Sequence, residues 1–336
     1  MKLEYLIAAA VLLSFASCAK DGGSAKNEDE KRYFDAWISQ NHSDAVRTKL
    51  GAYILSQTEG TGVPAGDSAF ARIDYSSFKL NGDLVSTTKE KMARQCNIYS
   101  SSEYYGPYLA YRGTKLESMG AGLEEVVAGM KVGGKMTVVI PGWLSEAKRY
   151  DSEQKYLKNC SGTDYIYELE LVDVFNDADK WEKDSLRRYM AANHPGAVED
   201  ADYPGFFYVQ SRPGAAGKEF PSDTTFYINY TGRLLNGKVF DTTIADTAKV
   251  WGLYSSSSTY KQKKVTWPSS GQNFTNIQLA DNDIIKGFAY AISKMHPGEA
   301  GDCYFVSGYG YSYSGSGKTI PSCSPLSFYI ETTEAP

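Results

Sequence analysis

One stretch in the second half of the chain constrains the fold most, because it has the pattern of a β-hairpin. Aromatic and apolar residues occupy alternate positions of its first run: Phe226, Ile228 and Tyr230. The dipeptide Asn236-Gly237 then separates this run from a second one, which ends in Phe240-Asp241. Alternation of period two indicates a strand with one buried face, and Asn-Gly is typical of the tight turn between antiparallel strands. The sequence therefore predicts an antiparallel sheet that carries an aromatic ring beside a carboxylate.

Length and charge set the outer limits on what the chain can be. With 336 residues it is longer than one typical core requires, so two domains are expected. A net charge of -5 supplies no basic surface, which argues against nucleic acid as a partner. The 26 tyrosines suit strands and aromatic-lined pockets. The three histidines, His42, His194 and His296, lie far apart in the sequence, so no metal site is predicted.

The N-terminus has the pattern of an export signal. Lys2 precedes an apolar run from Leu6 to Leu13, which is too short to span a bilayer and is followed by Phe15-Ala16-Ser17-Cys18. Small residues before a cysteine resemble a bacterial lipobox; a plain secretory signal is the alternative. We expect residues 1–18 to be a lipoprotein signal peptide with the lipid anchor on Cys18, and residues 19–30 to be a solvated tether. This predicts a lipid-anchored protein of the bacterial cell envelope, on the outer membrane. The pattern does not distinguish the periplasmic face of that membrane from the cell surface.

Export places the remaining cysteines in an oxidising compartment. They fall two in each half of the chain: Cys96 with Cys160, and Cys303 with Cys323. Four cysteines allow three connectivities, and none has the spacing of a metal site. Structural disulfides and inert thiols are both compatible with this pattern, and both are favoured over a catalytic thiol.

The chain repeats a helix followed by a hairpin. Aromatic and aliphatic residues recur at helical spacing between Glu28 and Gln40, and again between Asp177 and Ala192. A loop and a hairpin follow each helix, with Tyr75 and Tyr230 at similar places in the two hairpins. We therefore expect two α+β domains, at residues 31–175 and 176–336.

Later stretches of the chain add a helix and a turn to the predicted hairpin, and the three together resemble a known family. Asp283 to Phe288, followed by Ile292, has the pattern of a short helix, and Met295, Pro297 and Gly298 form a turn after it. In this order, hairpin, helix and turn resemble the FKBP-type peptidyl-prolyl isomerases. The resemblance implies two domains in which a curved antiparallel sheet wraps around a short helix, each preceded by an N-terminal helix.

The same resemblance implies a pocket in the second domain. Its residues would be Tyr230, Phe240, Asp241, Ile284, Ile285, Phe288, Tyr311 and Phe328. The apolar and aromatic members would form a cup, with Phe288 where the family usually has tryptophan. Tyr311 would donate to a substrate carbonyl, although Tyr309 and Tyr313 flank it and leave its assignment open by two positions. An insertion between Thr243 and Phe274 would lie beside this pocket.

The implied reaction is rotation about an X–Pro bond in unfolded or exported polypeptides. Its barrier of about 20 kcal/mol comes from amide resonance, so an apolar cup with placed hydrogen bonds suffices. No cofactor is required. Two alternatives remain: a non-catalytic module for binding or surface interaction, and glycan binding by the tyrosines at 309, 311 and 313.

The first domain keeps the scaffold but lacks most of the pocket. Val85-Ser86 stands where the second domain has Phe240-Asp241, and Met119-Gly120 replaces the paired isoleucines. Leu123 takes the place of the aromatic floor, and Glu146 takes the place of the tyrosine donor. Because a carboxylate in an apolar cup is costly to desolvate, we expect this domain to be inactive.

Overall fold

A computed structural model describes residues 22–112, 119–216, 218–269 and 273–333, with the side chains of residues 22–26 outside the description. Two compact units are distinguished by their internal contacts. The first comprises Met1–Asp67, Tyr75–Ser86 and Tyr111–Val172, and the second comprises Ser68–Asp74, Thr87–Ala110 and Asp173–Pro336. The second unit therefore includes two segments from the first half of the chain. The signal peptide and Cys18 lie outside the described residues.

The first sheet is antiparallel and has seven strands. In chain order these are β1 (Val46–Arg47), β2 (Tyr53–Thr58), β3 (Phe70–Phe78), β4 (Leu84–Thr87), β5 (Tyr108–Tyr111), β6 (Lys135–Ile140) and β7 (Tyr165–Phe175). Their order across the sheet is β1-β2-β6-β7-β3-β4, and β5 pairs with β3. The helices in this half are α1 (Gly22–Asn41), α2 (Glu90–Gln95), α3 (Ala121–Ala128) and α4 (Glu153–Asn159). Buried Val126 and Val127 lie on α3, the short helix that the family resemblance implies for this half.

The first helix begins earlier than the sequence pattern suggests. Residues 19–30 are expected to be a tether, but α1 already starts at Gly22. The Asn27 side chain donates to the backbone carbonyl of Leu157 and, at 3.4 Å, to that of Cys160. Helix α1 thus includes residues 22–30 of the segment that the sequence pattern predicts as a tether. These tertiary contacts outweigh the low intrinsic helix preference of the glycine- and serine-rich start.

The second sheet has eight strands around one central strand. They are β8 (Phe206–Arg212), β9 (Thr225–Leu234), β10 (Val239–Thr242), β11 (Lys263–Thr266), β12 (Gln278–Leu279), β13 (Asn282–Asp283), β14 (Ala300–Phe305) and β15 (Leu326–Thr333). The order is β13-β12-β11-β9-β15-β14-β8, with β10 also paired to β9. The α+β fold of two antiparallel sheets with associated helices is thus confirmed.

A short helix packs into this sheet because almost all of it is apolar. The helices of this half are α5 (Ala178–Asn193), α6 (Ala245–Val250) and α7 (Lys286–Ser293). On α7 the six consecutive residues 287–292 are buried, which is the pattern of a helix enclosed on all sides. Gly287 permits the approach, because a Cβ there would lie 2.5 Å from the ring of Phe305.

Helix α5 begins where a capping residue satisfies its first turn. Asp177 accepts a hydrogen bond from the Lys180 N–H at 2.9 Å, as an N-cap does. The helix predicted between Asp177 and Ala192 is therefore present, one residue later at each end. Among the described helices, none combines the length and apolarity that crossing a bilayer requires.

The four described cysteines are thiols. They are Cys96, Cys160, Cys303 and Cys323. Neither candidate disulfide is formed, because Cys303 points into the core of the second sheet while Cys323 lies beside the carboxyl group of Glu182. Burial raises the pKa of Cys160 to about 11 and that of Cys323 to about 12. Thiols that stay protonated are unreactive, so Cys160 and Cys323 have the environment of inert thiols.

A buried carboxyl group joins α5 to the segment after β14. Glu182 is 2% exposed and accepts hydrogen bonds from the Ser307 N–H at 2.7 Å and from the Ser307 hydroxyl at 2.6 Å. Burial raises the pKa of Glu182, and the bonds from Ser307 oppose that rise. The contact spans 125 positions in sequence, so it fixes the helix to the loop that carries the C-terminal tyrosines.

Replacing Glu182 by alanine is expected to destabilise the protein. The Ser307 N–H and hydroxyl would lose their acceptor in a buried place, which costs about 1–3 kcal/mol of unfolding free energy. Denaturant unfolding of the parent and the variant measures this loss. Asp184→Ala, on an exposed part of the same helix, is the control and should change stability little.

The Glu182 carboxyl group is also expected to make the stability of the protein depend on pH. Because its folded pKa is raised above the ordinary value of 4.5, the folded chain retains this proton to higher pH than the unfolded chain does. The protonated Glu182 carboxyl group makes its full contribution to stability below the ordinary pKa. This contribution is lost as pH rises through the folded pKa. Glu182→Gln should therefore show less decline of stability over that interval, and an identical decline in parent and variant would contradict the assignment.

Candidate active site

A β-bulge shapes the hairpin that carries the site. Val239 pairs with Arg233 and Asp241 with Gly232, so the register shifts at Phe240. In a regular strand, neighbouring side chains point to opposite faces, whereas a bulge re-aims one of them. Phe240 and Asp241 consequently line the same cavity although they are adjacent in sequence.

The cavity has a volume of about 410 Å³ and two chemically different walls. The hairpin supplies Tyr230, Phe240, Asp241 and Thr242. The insertion supplies Leu253, Ser258, Thr259, Tyr260 and Lys263. The implied cup is apolar, but this cavity has hydroxyl groups and a cation on its second wall. The insertion is thus part of the cavity itself.

Aromatic rings form a continuous layer behind the hairpin wall. The ring of Phe240 meets that of Phe328 edge-on at 5.5 Å, and Phe328 lies 4.7 Å from Phe288. The ring of Tyr230 is 5.3 Å from that of Phe288. Such tilted and edge-on contacts are the geometry that aromatic pairs prefer. Phe288 and Phe328 are both buried, so they support the wall from beneath.

The layer can close only because position 232 is glycine. A Cβ on Gly232 would lie 2.7 Å from the ring of Phe240 and 2.8 Å from that of Phe328. Carbon atoms of real side chains do not approach that closely without displacement. The two rings therefore meet across the strand at the one place where no side chain separates them.

A tyrosine–aspartate pair forms the polar part of the site. The Tyr230 hydroxyl donates to Asp241 Oδ2 at 2.7 Å, and the Tyr230 N–H donates to Thr243 Oγ1 at 2.9 Å. Burial, reinforced by the Asp241 carboxylate, raises the pKa of Tyr230 above its ordinary value. Tyr230 therefore stays protonated at neutral pH and holds the carboxylate in place.

The three neighbouring tyrosines have different surroundings. The Tyr309 hydroxyl donates to the Pro204 carbonyl at 3.2 Å, and Tyr313 interacts electrostatically with Asp179 and Glu182. Burial raises the pKa of Tyr311, and the charge of Asp241 raises it further. Within the described residues, the Tyr311 hydroxyl has no hydrogen-bond partner. Of the three, Tyr311 is the one whose electrostatic environment includes the cavity carboxylate.

Ile284 and Ile285 lie at the start of α7. Both are partly buried and pack against the core of the second sheet, and Ile285 is the N-cap residue of the helix. Phe274 is directed elsewhere, into contact with Tyr203 at 5.7 Å and Tyr290 at 5.0 Å. The structure thus brings Tyr230, Phe240 and Asp241 to the cavity, Phe288 and Phe328 behind it, and the two isoleucines into the same core.

Sequence reasoning missed that the insertion occurs twice. Tyr99-Ser100-Ser101-Ser102 and Tyr254-Ser255-Ser256-Ser257 match, and a further tyrosine follows at 105 and at 260. In each copy the two tyrosine rings stack, at 5.4 Å and 5.2 Å, and the first serine N–H donates to the second tyrosine hydroxyl at 3.0 Å. A short helix, α2 or α6, precedes each copy. The repeated tetrapeptide was the available signal.

The corresponding hairpin of the first unit has a longer polar contact and a different aromatic contact, in which the Tyr75 ring lies 6.3 Å from that of Tyr167. Tyr75 Oη and Ser86 Oγ lie 3.3 Å apart, where the second unit has Tyr230 and Asp241. Val85 is 40% exposed, and Glu146 is exposed as well. Met119 is buried, and Gly120 is the N-cap of α3. In the described part of the first unit, Val85-Ser86 thus supplies neither the ring nor the carboxylate that Phe240-Asp241 supplies in the second.

Comparison with known proteins gives one family match and several similar proteins. Residues 217–333 match the family model described as FKBP-type peptidyl-prolyl cis-trans isomerase. The macrophage infectivity potentiator of Trypanosoma cruzi is 28% identical over 141 residues, which are 42% of this chain and 57% of that protein. The chain thus spans somewhat more than half the length of this relative.

Solved structures of similar proteins cover different shares of the chain. A peptidyl-prolyl cis-trans isomerase from Pseudomonas syringae pv. tomato is 23% identical, with a TM-score of 0.31 over 46% of this chain and 92% of that one. FkpA from Escherichia coli is 20% identical, with a TM-score of 0.31 over 48% of this chain and 61% of that one. The three FKBP domains of wheat FKBP73 are 15% identical, with a TM-score of 0.27 over 84% and 94%.

The glycine on β9 provides a direct test of the aromatic layer. Gly232→Ala is expected to push Phe240 and Phe328 apart and to lower the unfolding free energy by about 1–3 kcal/mol, the usual cost of overpacking. Thermal or denaturant unfolding measures the change. Gly308→Ala is the matched control, because nothing lies within 4 Å of a Cβ at that position. Equal stability of the two variants would show that the rings do not close over this strand.

Proposed function

We propose that the second unit catalyses the cis-trans isomerisation of X–Pro bonds, because residues 217–333 match the family model described as FKBP-type peptidyl-prolyl cis-trans isomerase. One observation carries the assignment to this cavity. The bonded pair of Tyr230 and Asp241 lies beside a layer of aromatic rings, and a tyrosine hydroxyl without a described partner interacts with the same carboxylate. The reaction needs neither a nucleophile nor a cofactor.

In the proposed reaction, the aromatic wall acts on amide resonance, which is the main part of the barrier to rotation. The planar amide is stabilised by resonance that separates charge, and rotation must remove that resonance. Water solvates the charge-separated planar form better than an apolar wall does, so contact with Phe240 and the rings behind it disfavours the planar form relative to the twisted one. Each 1.4 kcal/mol removed from the barrier gives about a tenfold gain in rate.

A positioned hydrogen bond is the second proposed contribution to lowering the barrier. Tyr311 keeps its proton at neutral pH, since burial and the charge of Asp241 both raise its pKa. In our proposal it donates to the carbonyl oxygen of a substrate held in the cavity. Tyr230 cannot take this role equally well, because its own proton is already donated to Asp241. Asp241 therefore acts by holding the polar rim in place.

The first unit is proposed to be non-catalytic. Support comes from Val85-Ser86, where the second unit has an aromatic ring and a carboxylate, and from the exposure of Glu146 at the predicted donor position. Binding clients or spacing the second unit from a membrane would need only the scaffold. Clients are proposed to be proline-containing, unfolded or exported polypeptides.

Removing the donor or the carboxylate should slow isomerisation without unfolding the protein. Tyr311→Phe and Asp241→Ala each weaken the positioning of a hydrogen bond worth about 1–3 kcal/mol of barrier, so the rate should fall about five- to hundredfold. The measurement is proline-limited refolding of a test protein, or isomerisation of a proline peptide, with the intact chain as catalyst.

Matched variants separate catalysis from folding and one unit from the other. Tyr313→Phe removes a hydroxyl from an exposed neighbour that interacts with other groups, and Ser86→Ala alters the corresponding place in the first unit. Both should leave the rate unchanged. A parent chain that binds proline peptides but accelerates nothing would support the non-catalytic binding alternative instead.

The N-terminal pattern supports a proposed location in the bacterial cell envelope. An apolar run followed by small residues and Cys18 is the basis for lipid attachment and for an outer-membrane location. One acyl chain binds a membrane only marginally, so stable anchoring requires more than one chain on this cysteine.

Cys18→Ser is expected to abolish the anchor. The variant should either appear in the soluble fraction or remain unprocessed, because the serine hydroxyl cannot take the place of the thiol in lipidation. Cell fractionation with immunoblotting gives the result, and Cys96→Ser, which alters an exposed thiol, is the control. Membrane association of the Cys18 variant equal to that of the parent would remove the basis for a lipoprotein.

A further inference from the structure

Strand β11 brings a lysine onto the face of the sheet that forms the cavity. Lys263 pairs with Ile228, and Lys264 pairs with Tyr227. Ile228 is fully buried and shares its face of β9 with Tyr230, because residues two apart on a strand point the same way. Residues directly opposite on paired strands share a face as well. Lys263 therefore faces the cavity, and it lines the cavity together with Tyr230 and Asp241.

The two adjacent lysines differ in their partners. Lys264 Nζ forms an ion pair with Asp281 at 2.8 Å on the other face of the strand. Among the residues that the structure describes, no acidic side chain pairs with Lys263. The hydroxyl residues Ser258 and Thr259 line the same cavity and add groups that can donate to an anion. This end of the cavity thus offers an unpaired cation with hydroxyl groups around it.

The negative charge of the cavity lies at its other end. Asp241 pairs with Gly232, four residues along β9 from Ile228, on the same edge of that strand as β11, because β15 occupies the other edge. The standard rise of a strand therefore places the backbones of Lys263 and Asp241 roughly 13 Å apart. Asp241 is also engaged by the Tyr230 hydroxyl.

We propose that Lys263 determines substrate specificity by selecting polypeptides with an acidic residue next to the proline. The inference rests on the proposed isomerase function and names the substrate class for that cavity. With the proline against the aromatic wall, the chain on one side of it runs toward the insertion. A Glu or Asp carboxylate there meets the Lys263 ammonium group and the nearby hydroxyl groups.

The test compares peptides that differ only in charge. The full chain is assayed for kcat/KM on pairs of peptides with Glu or Gln at the residue before proline, and on pairs with Glu or Gln at the residue after it. The expected result is a two- to fivefold preference for Glu at one of these positions, the size typical of a partly exposed ion pair. Lys263→Gln should abolish the preference, Lys263→Glu should reverse it, and added salt should weaken it.

Two variants serve as controls for the lysine. Lys263→Arg keeps the charge and should keep the preference. Lys264→Gln removes the neighbouring charge on the other face, so it should leave the Glu-to-Gln ratio as in the parent. Acceleration of all peptides with no preference, or a preference that survives Lys263→Gln, overturns the inference alone. Absence of acceleration for every peptide overturns the proposed function and the inference with it.

Discussion

The candidate site depends on the pairing of one strand with three others. Strand β9 pairs with β10, β11 and β15, and each partner delivers a different part of the site. β10 brings Phe240 and Asp241 and β11 brings Lys263 to the cavity, and β15 brings Phe328 into the aromatic layer behind it. Register is strict here, because a shift by one residue would turn every side chain to the other face. Gly232 adds the space in which two of the rings meet across the strand.

Local sequence patterns were sufficient to predict the secondary structure that carries this site. Alternation and Asn-Gly predict the hairpin, and apolar residues at helical spacing between Asp177 and Ala192 predict α5, because both signals act over a few neighbouring residues. The bulge at Phe240 could not be predicted in this way, since it is defined only by the register with β9. The early start of α1 likewise depends on contacts of Asn27 with residues more than a hundred positions away.

The site itself was predictable where the aromatic layer forms it and not where the insertion does. Tyr230 and Phe328 were assigned from the order of motifs along the chain, which resembles that of the FKBP-type family and can be read from a single sequence. Tyr260 and Lys263 reach the cavity through a loop whose path is set by its own stacked tyrosines. Yet the loop was recognisable as a repeat: Tyr99 and Tyr254 are separated by the same interval, 155 positions, as Tyr75 and Tyr230 (254 - 99 = 230 - 75). Duplication of hairpin and insertion together explains that constancy.

In the proposed reaction, one wall of the cavity would affect the affinity for a substrate and the other would affect the rate of bond rotation. A charge that contacts residues beside the proline interacts equally with the planar and the twisted amide, so it raises affinity and selectivity without lowering the barrier of the bound state. In the proposed reaction, the aromatic rings and the Tyr311 hydroxyl would contact the rotating bond, where the two forms differ, so they would act on the rate of rotation. The polar wall is supplied by the insertion and the rings by the scaffold strands and helix. Under this proposal, a change in the insertion would alter which polypeptides are selected while the chemistry of rotation is retained.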